Sequence, residues 1–204
     1  MLQPILMKRR PRPRSACGID PGETNMFITR IETDDPKYVR PSEPLPEGSY
    51  RSTHREGIDL GSGNKLADYS KKVVAALEEM PWAMESERIR IEQQPYYPGK
   101  KAYNCMRNQT WSMIVYTYFV TKGHQDVGFT HASHKLNVLG PAWKGKGAPS
   151  GEANYTKRKK LGVPMAIQAF AHQPEVVEEL QDSEKADDEA DDLLMTLHAL
   201  FREK

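Results

Sequence analysis

Residues 87–93 read Glu-Arg-Ile-Arg-Ile-Glu-Gln, an alternation that sets Ile89 and Ile91 on one side of a strand and Arg88, Arg90 and Glu92 on the other. Shortly after it, residues 106–121 (Met106, Trp111, Met113, Ile114, Val115, Tyr116, Tyr118, Phe119, Val120) predict a helix that is apolar nearly all round. Such a helix must be covered on more than one side. The pair therefore calls for a sheet with helices packed on it, and leaves a second copy of the chain as a further cover.

The other segments fit that frame. Ser15 to Asp20 is strand-like, Pro21-Gly22 followed by Asn25 supplies a turn, and Met26 to Ile31 returns, so Asp20 lies at the inner end of a hairpin. Residues 33–56, polar and interrupted by Pro36, Pro41, Pro44 and Pro46, read as an irregular insertion before a short third strand around Gly57 to Leu60. Leu66, Tyr69, Val73, Leu77 and Met80 recur at helical spacing, and Val127 to Thr130 is a further strand. Residues 140–156 read as a flexible basic loop and Thr156 to Phe170 as a helix, weakened by Gly162 and Pro164. A last helix, about Ser183 to Arg202, carries Ala190, Leu193, Leu194, Leu197, Leu200 and Phe201 on its apolar side. The expectation is a mixed α/β chain with a five-stranded sheet flanked by helices: a basic arm over residues 1–14, then one domain over 15–204.

Composition narrows the class. No apolar run approaches the roughly 20 residues of a membrane span, and the chain passes from Met7 into Lys8, Arg9, Arg10, Arg12 and Arg14 instead of a signal-peptide core, so a soluble intracellular protein is expected. The arm suits a phosphate grip, an import signal or a solubilising tail. Cys17 and Cys105 are too few for a disulfide framework or a zinc site, and His131 with His134 adds no third zinc ligand. The net charge of +1 hides a segregation: residues 175–192 hold ten acids and one base, leaving the remainder of the chain at +10. A basic body with one acidic segment suits a polyanion binder that gathers cations in one place.

Three acidic points lie within apolar patterns: Asp20, Glu92, and the run Asp187-Asp188-Glu189-Ala190-Asp191-Asp192 opening the last helix. Singly, each has an ordinary explanation, since helix N-termini favour acids and Asp before Pro-Gly is a common turn residue. Together they repel one another unless cations bind, and carboxylates without His or Cys select Mg2+ or Mn2+. Two such ions would clamp the attacking water and the leaving oxygen of a phosphodiester. Asp188 and Asp191 share a helix face, as do Asp187 with Asp191 and Asp188 with Asp192, so the register is open by one residue. Lys100, Lys101 and Arg107 follow Glu92, and Lys144, Lys146, Lys157, Arg158, Lys159 and Lys160 fill the later basic stretch; all are candidates for DNA phosphates. Tyr96, Tyr97 and Tyr103 are interleaved with the first group and would either pack the loop or stack on bases. His198, two turns beyond Asp191, lies at the edge of this region.

Gly18-Ile19-Asp20-Pro21-Gly22, Ile91-Glu92-Gln93 and Asp188-Glu189-Ala190-Asp191 before Leu193-Leu194 resemble the motif set of RuvC-type Holliday junction resolvases, of the RNase H-like superfamily, over about residue 15 to the C-terminus. The run Tyr155 to Lys160 is most similar to the poxviral and mitochondrial branches. The resemblance implies an RNase H-like fold and a homodimer that nicks opposed strands of a four-way junction. It implies Asp20, Glu92, Asp188 and Asp191 as metal-binding catalytic carboxylates, with Mg2+ replaceable by Mn2+ and two ions per subunit. It also implies a lysine near the last acids, for which Lys157 and Lys160 are candidates. The insertion at 33–56 departs from the family, and the residues give it no role. An RNase H-like nuclease for RNA·DNA hybrids or other branched DNA, and a non-catalytic junction-binding protein, are the competing readings.

Overall fold

The computed structural model describes residues 11–63, 65–93, 102–131, 134–135, 138–139 and 152–203, with 102–108 and 152–160 as backbone course. Strands β1 (Ser15–Pro21), β2 (Asn25–Thr33) and β3 (Tyr50–Asp59) form an antiparallel meander, and β4 (Arg88–Gln93) and β5 (Val127–His131) add in parallel beside β1, giving the order β3-β2-β1-β4-β5. Between them run α1 (Leu66–Glu78), the short α2 (Pro81–Met84) and α3 (Ala102–Thr121); α4 (Glu152–Ala169), α5 (Pro174–Asp182) and α6 (Ala186–Phe201) follow. Among the described residues no helix is long and apolar enough to cross a membrane.

The alternation in β1 and β4 sorts side chains to two faces. One face is apolar: Cys17, Ile19, Met26, Ile28, Ile89 and Ile91 pack against Tyr69, Val73 and Leu77 of α1 and Trp111, Val115 and Phe119 of α3. Trp111 stacks on Tyr69 with ring centroids 4.1 Å apart, and the Tyr69 hydroxyl donates to the Gly22 carbonyl at 3.2 Å. The other face lies under α6, whose Ala190, Leu193, Leu194, Leu197 and Phe201 are all buried with Met165, Ala166 and Phe170 from the α4 side.

On that second face Arg88 and Glu92 are buried and Arg90 is half-buried. Arg88 is 7% exposed and donates to Asp126 at 3.0 Å and to the Ala199 carbonyl at 2.9 Å; Arg90 pairs with Asp126 at 3.0 Å and Glu203 at 2.5 Å. Two arginines facing two carboxylates satisfy one another, which makes their burial tolerable.

Three elements differ from expectation. The third strand begins at Tyr50, not near Gly57: its Arg51, His54, Arg55 and Glu56 are polar because β3 is an edge strand, held by backbone pairing to β2. The helix expected from Thr156 starts at Glu152 and runs through Pro164, which therefore interrupts its hydrogen bonding without ending it. A separate helix, α5, has Pro174 in its first turn, where a proline's missing N–H costs no bond, and precedes α6.

What remains of the insertion, 34–49, is a closed loop. Its ends meet where the Thr33 hydroxyl donates to the Ser49 carbonyl at 2.8 Å, and its Val39 and Leu45 enter the core beneath the end of α6. Arg202 anchors it, as described below.

Candidate active site

β1 and β4 run parallel with Ile19 opposite Ile91, so Asp20 and Glu92 follow side by side, both on the α6 face. Glu92 is buried, its carbonyl accepting from the Ser112 hydroxyl of α3 at 3.0 Å. The two carboxyls are close enough to interact, and burial, then the Glu92 charge, raises Asp20 well above the usual carboxylate range.

Helix α6 crosses this face in the direction opposite to β1, with Ala199 beside Arg88 and Asp192 and Thr196 against Gly18. Gly18 has to be glycine: a Cβ there would lie 2.0 Å from Thr196 Oγ1 and 2.9 Å from Asp192 Oδ1. From that contact, two residues along β1 advance about 6.6 Å and one turn back along the helix about 5.4 Å. These steps bring Asp188 and Asp191, both half-buried, to the level of Asp20.

The residue that sequence reasoning missed is Lys135. It follows β5 by one turn, in which the His134 N–H donates to the His131 carbonyl at 2.8 Å, and its Nζ lies 3.4 Å from Glu92 Oε1 and donates to Asp191 Oδ2. Although burial opposes its charge, Glu92, Asp191 and Asp20 together raise its pKa, so it stays an ammonium ion. Its partners are 43 and 56 residues distant in the chain, and no local pattern marks it. Of the expected basic residues, Lys100, Lys101, Lys144 and Lys146, and the side chains of Arg107, Lys157, Arg158, Lys159 and Lys160, lie outside the described residues, as do Tyr96, Tyr97 and the Tyr103 side chain.

Asp192 is fully buried beneath Gly18, and neither of its oxygens makes a hydrogen bond of ordinary geometry. Burial raises its pKa well above the usual range; the nearby Thr29 hydroxyl opposes that rise, and the Glu92 charge adds to it. His198 is buried as well, stacked on His134 with centroids 4.8 Å apart, and burial lowers its pKa to about 4.

Every acid that would hold a metal here is a carboxylate, a set suited to Mg2+ or Mn2+. Among the described residues no three of these groups converge tightly enough to enclose a cation as they stand; the Lys135 ammonium lies between Glu92 and Asp191 instead. The donor chemistry and the mutual repulsion of Asp20 and Glu92 fit a divalent ion, which would take over the charge balance that the lysine now supplies.

This arrangement of a 3-2-1-4-5 sheet with acids at the ends of β1, β4 and the start of the last helix defines the RNase H-like class of folds. Within it, the chain has the fold of the RuvC-type Holliday junction resolvases. It superposes on the yeast mitochondrial Holliday junction resolvase Ydc2 with a TM-score of 0.56 at 15% identity, covering 95% of this chain and 82% of that one. For the fowlpox virus Holliday junction resolvase the values are 0.51 and 14%, over 90% and 94%. For Thermus thermophilus RuvC, solved in complex with a Holliday junction substrate, they are 0.51 and 14%, over 90% of each. No protein-family model and no curated protein sequence matches the chain.

Proposed function

We propose that this protein is a metal-dependent endonuclease that resolves four-way DNA junctions by paired nicks, acting as a homodimer through a single domain over 15–204. The observation that carries it is the joining of Asp20, Glu92 and Asp191 around Lys135 at the acidic end of a resolvase fold.

Asp20, Glu92, Asp188 and Asp191 would hold the metal. Asp192 is the weaker alternative, because its carboxyl is wholly buried under Gly18 while Asp188 and Asp191 reach the surface. When bound, two Mg2+ ions supply an activated water and neutralise charge on the phosphodiester. The protein's own part is to present Asp20 and Glu92 side by side and to release Lys135 from Asp191. Lys135 keeps its proton and serves as a cationic donor toward the scissile phosphate, not as a base. The dimer reading rests on Met113 of α3, 48% exposed and lining a groove with Val74 of α1, and on Val120 further along α3, 44% exposed.

The test is cleavage of a synthetic four-way junction with and without Mg2+. Symmetric ligatable nicks that vanish in Asp20→Asn, with junction binding kept, are expected. An intact junction after long incubation with folded protein overturns the proposal, and preferential cutting of an RNA·DNA hybrid redirects it to a ribonuclease H.

A further inference from the structure

The 34–49 loop and the residue that anchors it reach the candidate active site through a short chain of hydrogen bonds. Arg202, just past the end of α6, is 6% exposed. Its guanidinium donates to the carbonyls of Val39 at 3.0 Å, Glu43 at 2.8 Å and Arg40, all in the loop. From the same group, Nε and Nη2 donate to the Val138 carbonyl at 3.2 Å and 2.6 Å. The Phe201 carbonyl accepts from the Val39 N–H at 2.8 Å, closing the loop onto the helix end. Val138 in turn donates its N–H to the carbonyl of Lys135 at 3.4 Å, and Lys135 lies between Glu92 and Asp191.

A planar guanidinium that spends its donors on four carbonyls from two separate segments fixes those segments relative to each other. One of them carries Lys135. Nothing in the local sequence of that segment would hold a lysine over two carboxylates, and the side chain is long enough to leave them unless its backbone is pinned. We propose that Arg202, with the 34–49 loop as its abutment, is a positioning residue for Lys135. The insertion is thereby part of the active-site support. This rests on the reading of Lys135 as a member of the nuclease site.

The experiment is a double-mutant cycle in the full chain, pairing Arg202→Lys with Lys135→Ala. Single-turnover cleavage of a four-way junction is read at saturating protein, beside junction affinity in a chelator. Arg202→Lys keeps the charge but loses the planar fork. It should slow cleavage about tenfold or more with affinity unchanged within about twofold, whereas in the Lys135→Ala background it should change the rate by less than about twofold. Equal losses in both backgrounds, or a wild-type rate in folded Arg202→Lys, overturn the proposal. Val138→Ala, a milder loosening of the same segment, takes the place of Arg202→Lys if that variant does not fold. If the wild type cuts no junction, the nuclease reading has failed, and the same cycle read by denaturant unfolding still decides the positioning: non-additive losses support it, additive losses overturn it.

Discussion

The same three strands, β1, β2 and β4, present two unlike faces. Toward α1 and α3 they offer Cys17, Ile19, Ile28, Ile89 and Ile91, a surface whose work is finished once it is covered. Toward α6 they offer Gly18, Asp20, Thr29, Arg88, Arg90 and Glu92 beside the apolar Ala16 and Ile31, so the helix that covers them supplies charges and carbonyls as well as leucines. Period-two alternation lets one strand serve both, so that one face is wholly apolar and the other mixes apolar packing with the candidate site's charged groups. The acids that repel one another on the α6 side are tolerable because the opposite face is dry and well packed.

That division can be tested by breaking each side separately. The largest effect belongs to the acids: Asp20→Asn and Glu92→Gln should each lower junction cleavage at least about a thousandfold, a loss of about 4 kcal/mol in barrier stabilisation. Asp20→Asn should not lower stability in a chelator, because it removes a repulsion with Glu92, whereas Glu92→Gln also takes a partner from the buried Lys135; a destabilised Asp20→Asn would argue against a charged cluster. On the apolar face Trp111→Ala should cost about 3–5 kcal/mol in denaturant unfolding. Whatever of that variant remains folded should gain as much stability from Mn2+ as is expected of the wild type.

The next effect depends on pH. His198 is neutral in the folded protein down to about 4 but takes up a proton near 6.5 when unfolded. The stability it lends is therefore complete above pH 6.5 and is lost as pH falls from there through about 4, by up to about 3 kcal/mol. Asp20 and Asp192 act in the opposite sense: their raised values favour the folded state in acid, and that advantage is lost as pH rises through them. Unfolding curves in a chelator should show both slopes, with His198→Gln removing the first. The smallest expected effect is a gain. Asp192→Ala deletes a buried carboxyl without a hydrogen bond and should raise stability in a chelator by about 1–3 kcal/mol. A loss of stability there would show that Asp192 has a partner in the native protein.

Much of the division is legible in the sequence. The isoleucines of 87–93 mark one face without ambiguity, Gly18 to Gly22 and Glu92 mark the ends of two strands, and the leucines after Asp192 mark the helix that covers them. What does not show locally is anything whose cause is distant. Arg88 and Arg90 can be placed on one strand face, but their partners Asp126, Glu203 and the end of α6 cannot be read from it. The strand from Tyr50 looks like loop because an edge strand needs no apolar side of its own. Lys135 carries no pattern at all, since its two partners come from β4 and α6, and Asp192 reads as one more helix-opening acid until Gly18 is seen to leave room for it.

The stacking of Trp111 on Tyr69 has an optical consequence. The Tyr69 hydroxyl holds the Gly22 carbonyl in the turn that follows Asp20, and the Asp20 charge is felt at that phenol. A buried indole 4.1 Å from this ring is thus a built-in fluorophore seated behind the candidate catalytic turn. Its emission, isolated by replacing Trp82 and Trp143 with phenylalanine, would report movement of that turn when cations or a junction arrive, with no label attached.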